Sequence, residues 1–454
     1  KISGIRGTIG GEAGTSLSPL DIVEMTAAFA SLLERQDASR KKVVIGMDAR
    51  ISGKMVSQLS TQTLLAMGFD VIDLGLSTTP TVEMAVKAEN ASGGIIFTAS
   101  HNGKEWNALK LLNEKGEFIS EQQGVAMLDI AEQRAYRFAS VDNLGSYHQN
   151  DKYIAYHIEK ILALEFIEPE LIRKRKFKVV VDCINSTGAV AIPPLLDALD
   201  CGYVLLNDDL SGNFAHDPEP LPKNLTALAD KVKAENADLG IAVDPDVDRL
   251  VLVCEDGSMF GEELTIVAAS EYMLGKKSSH LVSNMSSSRA LKDLAKKAGV
   301  NYYASAVGEV NVVRKMKEVK ALIGGEGNGG VIVPELHYGR DALVGIAIIL
   351  NLLAEKNIKP SDLKASYPSY TIIKEKFEID PELNIDKLLN EIKNDYIANE
   401  INEEDGLRVD FDKSWVHMRK SNTEAVIRVI AEAEHKEEAE NLISQFSKYL
   451  KEIK

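Results

Sequence analysis

Short apolar runs alternate with helical patterns along most of this chain, and the runs typically end in a polar or glycine-rich loop. The runs predicted to be strands are residues 42–47, 70–74, 95–98, 178–182, 240–243 and 321–324. Strands that are apolar on both faces and alternate with helices are typical of mainly parallel α/β layers. Ligands gather at the carboxyl ends of the strands in such sheets, so the loops after these runs are the candidate functional segments.

Polar or helical bridges divide the chain of 454 residues, a length that corresponds to roughly three average domains. The bridges lie near residues 147–153, 255–257 and 367–369, and they predict domains at residues 1–150, 151–255, 256–368 and 369–454. After residue 370 the composition shifts towards Glu, Lys and Asn, with helices predicted near 385–398 and 435–450. The last segment is therefore expected to be a small α+β domain.

Charge, apolar runs and cysteine content indicate which partners and which cellular compartment are expected. The formal net charge of −16 argues against nucleic acid, because a phosphate backbone is bound by clustered Lys and Arg. The longest apolar run, residues 342–350, is shorter than the about 20 residues of a bilayer span, so no membrane partner is expected. Three scattered cysteines indicate neither a disulfide framework nor a zinc site, and a reducing cytoplasm is the expected location.

The first candidate loop follows the predicted strand at 95–98 and contains Ser100, His101 and Asn102, with Lys110 further along. A serine hydroxyl is a poor nucleophile unless a neighbour activates it, and the adjacent histidine could do so. A plain Ser/Asn turn with a solvated histidine explains the same three residues. Both interpretations stay open on this motif alone.

The second candidate loop places Asp244, Asp246 and Asp248 at alternate positions, followed by Arg249. Carboxylates this close repel one another unless a hard cation neutralises them, and Mg²⁺ prefers such oxygen ligands. A solvated acidic turn is the simpler alternative. A calcium EF-hand is a third, but Arg249 stands where that loop needs glycine.

The third loop, Gly325-Glu326-Gly327-Asn328-Gly329, leaves Glu326 and Asn328 as its only side-chain hydrogen-bonding groups. Glycines let a backbone approach a ligand closely, so the pattern suits a reader of adjacent sugar hydroxyls. A flexible glycine turn is the alternative.

The fourth loop combines a guanidinium, hydroxyls and an amide, the groups with which proteins bind phosphate. Its members are Arg419, Ser421, Asn422 and Thr423, with Arg428 nearby. A polar hairpin turn is the alternative. Of the histidines outside these loops, His216 and His337 stay open candidates for a site role, and four are expected at the surface: His148, His157, His280 and His435.

The four loops, in this order and spacing, resemble the α-D-phosphohexomutase superfamily nearly from end to end. Supporting marks are Ser3-Gly4-Ile5-Arg6-Gly7, Gly46-Met47-Asp48-Ala49-Arg50, Pro218-Glu219-Pro220 and Val307-Gly308-Glu309. The resemblance implies an α/β fold that is heart-shaped around a central cleft. It comprises three related α/β domains with mixed, mainly parallel sheets and a smaller C-terminal α+β domain that closes over the substrate.

The resemblance also implies the reaction and the roles of the residues. Ser100 would carry a phosphoryl group, and one Mg²⁺ per chain would be held by Asp244, Asp246, Asp248 and a phosphoserine oxygen. The phosphoryl group would pass to a sugar 1- or 6-phosphate, and the resulting 1,6-bisphosphate would reorient and return its other phosphate. Arg6, Lys110 and Arg249 would act near the phosphoserine, and Lys110 or His101 would exchange the proton of the sugar hydroxyl. Glu326 and Asn328 would bind the sugar, and the fourth loop would bind the phosphate that is not transferred.

Departures from the usual pattern bear on the choice of sugar. The sugar loop of the superfamily often ends Ser-Gly-His, whereas this chain has Asn328-Gly329-Gly330, so any acid/base role lies elsewhere. Gly-Glu-Gly-Asn-Gly-Gly is similar to the branch of phosphoglucosamine mutases and dual phosphogluco/phosphomannomutases, and glucosamine phosphate is the expected substrate. Phosphoglucomutase/phosphomannomutase activity, a metal-dependent phosphatase and a sugar-phosphate-binding protein remain the alternatives. A monomer or homodimer is expected.

Overall fold

The computed structural model describes residues 4–378, 384–420 and 426–452, which form four separate β-sheets. The first sheet has the strand order β1-β5-β4-β2-β3-β6. Its strands are β1 (Ile5–Thr8), β2 (Lys42–Met47), β3 (Asp70–Leu76), β4 (Gly93–Phe97), β5 (Trp106–Leu112) and β6 (Tyr147–Gln149). Its helices are α1 (Pro19–Gln36), α2 (Gly53–Ala66), α3 (Thr79–Ala88) and α4 (Glu121–Glu132).

The second sheet has the order β10-β9-β7-β8. Its strands are β7 (Lys178–Asp182), β8 (Gly202–Leu206), β9 (Leu239–Val243) and β10 (Leu250–Cys254). Its helices are α5 (Tyr153–Leu162), α6 (Pro169–Arg175), α7 (Gly188–Ala198) and α8 (Thr226–Glu235).

The third sheet has the order β12-β11-β13-β14. Its strands are β11 (Leu281–Asn284), β12 (Tyr302–Ser305), β13 (Ile323–Glu326) and β14 (Gly330–Ile332). Its helices are α9 (Glu262–Lys276), α10 (Ala290–Ala298), α11 (Glu309–Val319), α12 (Ala342–Lys356) and α13 (Pro360–Ala365).

One strand order occurs in all three of these sheets. It reads β3-β2-β4-β5 in the first, β8-β7-β9-β10 in the second and β12-β11-β13-β14 in the third. In each case the first three strands are parallel, and the fourth returns antiparallel to the third as a hairpin. The prediction of three related α/β domains with mixed, mainly parallel sheets is thus confirmed.

The fourth sheet is antiparallel throughout, with the order β15-β19-β18-β17-β16. Its strands are β15 (Thr371–Glu378), β16 (Glu400–Asn402), β17 (Leu407–Asp410), β18 (Trp415–Lys420) and β19 (Val426–Ala433). Helices α14 (Ile385–Asp395) and α15 (Lys436–Glu452) complete it. The predicted small α+β domain is confirmed, while the boundaries at residues 150, 255 and 368 stay predictions.

Burial explains why the central strands have no polar alternation. Every residue of β4, β9 and β10 is buried, because helices cover both faces of the sheets. The apolar run at 342–350 forms most of α12, whose side chain cap is Asp341 and whose first 13 residues are all buried. Cys183 and Cys254 are buried free thiols, as expected. In the described ranges, no helix is both long enough and apolar enough to cross a membrane.

Candidate active site

Three of the four candidate loops occupy the same position in the three related sheets. The serine loop joins β4 to β5, the acidic loop joins β9 to β10, and the glycine loop joins β13 to β14. Each loop therefore begins at the carboxyl end of the third strand of the repeated order. This is the edge at which ligands were expected.

Ser100 meets the acidic loop directly. Its Oγ donates a hydrogen bond to Asp244 Oδ2 at 2.6 Å, and the residue is only 3% exposed. Its backbone has a φ of +51°, a left-handed conformation that is uncommon for a residue with a side chain. The N–H of Ser100 donates to Thr98 Oγ1, whose hydroxyl donates in turn to Asp48. Such strained, buried backbone is characteristic of functional loops that their surroundings hold in place.

The side chain of Arg50 binds the backbone carbonyl groups of the serine loop. Nη1 donates to the carbonyl oxygens of Gly103 at 2.6 Å and Trp106 at 3.0 Å, and Nη2 donates to those of Asn102 at 2.7 Å and Ser100. Asp48 accepts from Nε of Arg50 at 2.9 Å and so fixes the guanidinium. Asp48 and Arg50 are marks of the family resemblance in the sequence, but no local pattern indicates that they support the serine loop.

Each aspartate of the acidic loop has one carboxylate oxygen that accepts hydrogen bonds from groups other than Ser100. Asp244 Oδ1 accepts from the backbone N–H groups of Asp248 and Arg249, both at 3.1 Å. Asp246 Oδ2 accepts from Lys110 Nζ at 2.6 Å and from the Thr79 hydroxyl. Asp248 Oδ2 accepts from Arg340 at 2.7 Å and from Lys110 at 3.3 Å. The three carboxylates are therefore fixed in rotation before any ligand arrives.

The other oxygens of the triad suit a cation. Asp246 Oδ1 and Asp248 Oδ1 are buried without a hydrogen-bond partner among the described residues. Asp244 Oδ2 faces the Ser100 hydroxyl, and the three side chains each offer a ligand atom within 4.8 Å of the others. A buried oxygen without a partner costs free energy unless a cation pairs with it. The chemistry of this donor set fits a hard divalent ion, and complete burial of all three aspartates excludes the solvated turn.

Burial and charge move the pKa values of the triad apart. Burial, together with Asp248 and Asp246, raises the pKa of Asp244 well above its usual range. Burial alone would also raise the pKa of Asp248, but Arg340 and Lys110 hold that pKa below its usual range. Burial opposes the charge on Lys110, yet the carboxylates of Asp246 and Asp248 raise its net pKa. Lys110 is therefore a fixed cation in this state.

Two arginines and a histidine surround the serine on its other side. Arg6 Nη1 donates to Asn102 Oδ1 at 2.6 Å, and Arg249 Nη2 lies 2.9 Å from His101 Nδ1. Because a guanidinium has donors only, His101 Nδ1 must be the acceptor and its proton must sit on Nε2. Arg249, burial and Arg6 hold the pKa of His101 far below its usual value. His101 is therefore a neutral donor from Nε2.

Glu326 lies at the start of the glycine loop with both carboxylate oxygens engaged. Oε1 accepts from Asn284 at 2.8 Å and from the N–H of Gly308 at 3.2 Å. Oε2 accepts from Arg340 at 2.7 Å and from Asn328 Nδ2 at 3.4 Å. The two candidate sugar-binding side chains are thus in mutual contact, and Arg340 links them to Asp248 of the acidic loop.

The fourth loop falls partly outside the described residues, which do not include Ser421, Asn422 and Thr423. The flanking strands show a feature that sequence reasoning missed. Arg428 on β19 pairs in register with Arg419 on β18 and with Lys376 on β15. Directly paired residues of antiparallel strands project from the same face, so three cationic residues form a row across the sheet. Arg419 Nε also lies 3.2 Å from Asp405 Oδ2, and a row of cationic side chains suits a phosphate.

His157 was expected at the surface, and this prediction is wrong because its ring is fully buried. His157 Nε2 lies 2.8 Å from Asp341 Oδ2, and His337 Nε2 lies 3.2 Å from the same oxygen. The helix α5 that carries His157 packs against α3, α7 and α12, which its polar neighbours in sequence did not indicate. His216 contacts Asp182 at 3.0 Å. His216 and His337 thus bind carboxylates other than those of the triad.

Comparisons with known proteins agree along the whole chain. Models of phosphoglucomutase/phosphomannomutase match in order: alpha/beta/alpha domain I over residues 1–137, domain II over 152–257, domain III over 260–370 and the C-terminal domain over 376–448. The chain is 34% identical over 453 residues to the phosphoglucomutase/phosphomannomutase of Thermococcus kodakarensis, covering 98% of each chain.

A second relative carries a different name. The chain is 31% identical over 447 residues to a probable phosphoglucosamine mutase of Methanopyrus kandleri, covering 98% of this chain and 96% of that one. Among solved structures, it resembles a phosphoglucomutase/phosphomannomutase family protein of Burkholderia thailandensis. The TM-score is 0.85 at 26% identity, covering 99% of this chain and 96% of that one.

Proposed function

The chain belongs to the phosphoglucomutase/phosphomannomutase family, and we propose that it interconverts a hexose 1-phosphate and 6-phosphate through a phosphorylated Ser100. The observation that carries the proposal is the 2.6 Å hydrogen bond from Ser100 Oγ to Asp244, beside two buried carboxylate oxygens that accept no hydrogen bond from the described part of the chain. A phosphoryl group on Ser100 would lie against that cation site. Phosphoryl transfer depends mainly on positioning and on neutralising charge, which this arrangement supplies.

The metal proposed for the triad is one Mg²⁺ per chain, held by Asp244, Asp246 and Asp248. When bound, it supplies positive charge to the oxygens of the transferring phosphoryl group. Lys110 donates to the Oδ2 atoms of Asp246 and Asp248, which would leave their Oδ1 atoms for the metal, as outer partners of metal ligands commonly do.

The residues around Ser100 would bind the phosphoryl oxygens. Arg249 and Arg6 are each held by a contact with the serine loop, Arg249 with His101 and Arg6 with Asn102. His101 donates from Nε2 because Arg249 occupies Nδ1. We therefore assign His101 to phosphate binding rather than to taking the proton of the sugar hydroxyl.

The two ends of the substrate would bind to different domains. Glu326 and Asn328 would form hydrogen bonds with the hydroxyl groups of the sugar ring. The row of Arg419, Arg428 and Lys376 would bind the phosphate that is not being transferred. The resulting sugar 1,6-bisphosphate would reorient between two transfers, and the same groups would then bind its opposite ends. Free sugar phosphates in the cytoplasm are the proposed substrates, and the protein would act as a monomer or homodimer.

Glucosamine phosphate is the sugar we propose. The names of the relatives divide between phosphoglucomutase/phosphomannomutase and probable phosphoglucosamine mutase, so they support a hexose phosphate of either kind. The form Gly325-Glu326-Gly327-Asn328-Gly329-Gly330 is similar to the branch of phosphoglucosamine mutases and dual phosphogluco/phosphomannomutases, and within that branch we propose the amino sugar.

The test is mutase turnover on glucosamine-, glucose- and mannose-phosphate side by side, with Mg²⁺ and a trace of the matching 1,6-bisphosphate. The highest kcat/KM is expected for glucosamine phosphate, without release of inorganic phosphate. Comparable or higher values for glucose and mannose would replace that sugar assignment by a dual hexose mutase. Release of phosphate without isomerisation would instead indicate the phosphatase.

The variant Ser100→Ala tests whether Ser100 carries the phosphoryl group. We expect its turnover to fall by several orders of magnitude, because the phosphoryl carrier is gone, while sugar-phosphate binding in calorimetry is retained. Turnover that survives this substitution would remove the phosphoserine from the mechanism.

A further inference from the structure

Arg340 joins three segments that the sequence does not bring together. Its Nε donates to Glu309 at 2.9 Å, Nη1 to Glu326 at 2.7 Å and Nη2 to Asp248 at 2.7 Å. These carboxylates come from the start of α11, the glycine loop and the acidic loop, and Arg340 itself is only 9% exposed. Three of its five N–H donors are therefore committed in a fixed fork, which an ammonium group could not reproduce.

Gly330 lies against the stem of this arginine. A Cβ at position 330 would come within 2.3 Å of Arg340 Cδ and 2.9 Å of its Cγ. These atoms cannot move aside cheaply, because all three nitrogens beyond them are held by carboxylates. The glycine loop is thus followed by glycine at position 330, where the space for a side chain is filled by Arg340.

The backbone beside Arg340 is fixed as well. Asp341 Oδ1 caps α12 by accepting from the N–H of Leu343 at 2.8 Å, while its Oδ2 contacts His157 and His337. On the other side, a Cβ at Gly339 would lie 1.8 Å from Glu83 Oε2, so this segment packs directly on α3. Arg340 therefore extends from a rigid base rather than from a mobile loop.

We propose that Arg340 is a positioning residue that sets Glu326 for the sugar and Asp248 for the metal, and that Gly330 exists to leave room for it. One guanidinium holds Oε2 of Glu326 and the outer oxygen of Asp248 at the same time. The sugar reader and the metal cage are thereby mechanically coupled. The sugar part of this inference rests on the proposed function, and the metal part does not.

The test compares the single variants Arg340→Lys and Gly330→Ala with the wild-type protein. It also compares the double variant Arg340→Ala/Gly330→Ala with the single variant Arg340→Ala. The readouts are the Kd of Mn²⁺, followed by electron paramagnetic resonance, and the separate kcat and KM for the sugar phosphate. Mn²⁺ is a suitable probe because it prefers the same oxygen ligands as Mg²⁺. Gly124→Ala on α4 is the matched control, since a Cβ there meets open space.

We expect Arg340→Lys to weaken Mn²⁺ binding by roughly 10–100-fold, the usual effect of losing an outer partner of a metal ligand. KM should rise with it, because Glu326 loses its fixed orientation. Gly330→Ala should produce the same pair of changes by displacing Arg340, and Gly124→Ala should produce neither. In the Arg340→Ala background, Gly330→Ala should have no further effect, because the clash is gone.

A lower melting temperature with unchanged Mn²⁺ affinity and unchanged KM would make Arg340 merely structural and would overturn the proposal. Additive effects of Gly330→Ala and Arg340→Ala would overturn the packing relationship. If the wild-type protein has no mutase turnover, the proposed function fails, while the Mn²⁺ measurements still decide the role of Arg340 at Asp248.

Discussion

Arg50 donates a hydrogen bond to the carbonyl oxygen of Ser100, the residue whose hydroxyl meets Asp244. The same guanidinium binds the carbonyl oxygens of Gly103 and Trp106, and Asp48 holds it from below. The left-handed backbone of Ser100 is thus maintained by a side chain from another strand end. Without that support, the loop would be expected to relax towards a more common conformation.

Substitution Arg50→Lys should therefore lower kcat by about 100-fold, the order of effect expected when a reacting group shifts by about 1 Å. Lysine keeps the charge but cannot bind four carbonyl groups in a planar fork. The measurement is steady-state kinetics, with Arg173→Lys on α6 as control. A kcat within twofold of wild type would show that the loop does not need Arg50.

Substitution Asp246→Asn should abolish tight Mg²⁺ binding, because it removes charge from an oxygen that is buried without a partner. We expect the Mg²⁺ concentration for half-maximal rate to rise by more than the roughly 10–100-fold seen for outer partners of metal ligands. Titration of the rate with Mg²⁺ measures this. An unchanged midpoint would contradict the assignment of the triad as the metal site.

The basic row predicts graded effects on substrate binding. Arg428→Ala should raise KM by about tenfold or more, since a charge-assisted hydrogen bond contributes about 1.5–3 kcal/mol. Lys376→Ala, at an exposed position of the edge strand β15, should raise KM by up to about fivefold. Lys413→Ala serves as the control, because that lysine pairs with Glu434. Equal KM values for all three variants would contradict the assignment of this row to phosphate binding.

His101 predicts the shape of the pH–rate profile. Because Arg249 and burial depress its pKa, the ring stays neutral as the pH falls from 9 to 5, and no limb of the profile belongs to it. Substitution His101→Gln should lower kcat/KM while leaving the profile parallel to that of wild type. Loss of an acidic limb in this variant would show that His101 titrates and takes part in proton transfer.

His417 predicts how stability depends on pH. Burial lowers the pKa of this histidine to about 4, and the ring contacts Ser286 at 2.9 Å and the carbonyl oxygen of Asp405 at 2.6 Å. A lowered folded-state pKa means that its contribution is complete above the unfolded value of about 6.5 and is lost as the pH falls towards 4. The loss should be on the order of 3 kcal/mol.

Chemical denaturation of wild type and His417→Gln between pH 7 and 4 measures this loss. The variant should show the shallower fall in the free energy of unfolding, and His435→Gln, at an exposed position, should follow wild type. Identical pH dependence in wild type and His417→Gln would contradict the assignment.

The fold and the three strand-end loops could be predicted because each depends on neighbours in sequence. Apolar runs such as Lys178–Asp182 are buried on both faces, and alternation of such runs with helices leaves few architectures. The acidic loop was recognisable for the same reason, since its carboxylates lie within five residues.

The residues that connect those loops could not be predicted, because their partners are distant along the chain. Arg340 contacts Asp248, 92 positions away, and no local pattern distinguishes it from a surface arginine. The row of Lys376, Arg428 and Arg419 depends on strand register, which is fixed only when the sheet forms. The surface position predicted for His157 was wrong because its polar neighbours in sequence do not indicate that α5 packs between other helices.

The repeated strand order has a consequence for how such a site can diversify. Ser100, the aspartates proposed to bind the metal and the glutamate proposed to bind the sugar all lie at the same hairpin of successive sheets of one strand order. Three sheets with the same strand order thus place three different sets of polar side chains at equivalent turns. With the roles proposed above, substitutions in the third sheet could change the preferred sugar while the sheets proposed to carry the phosphoryl group and the cation stay intact.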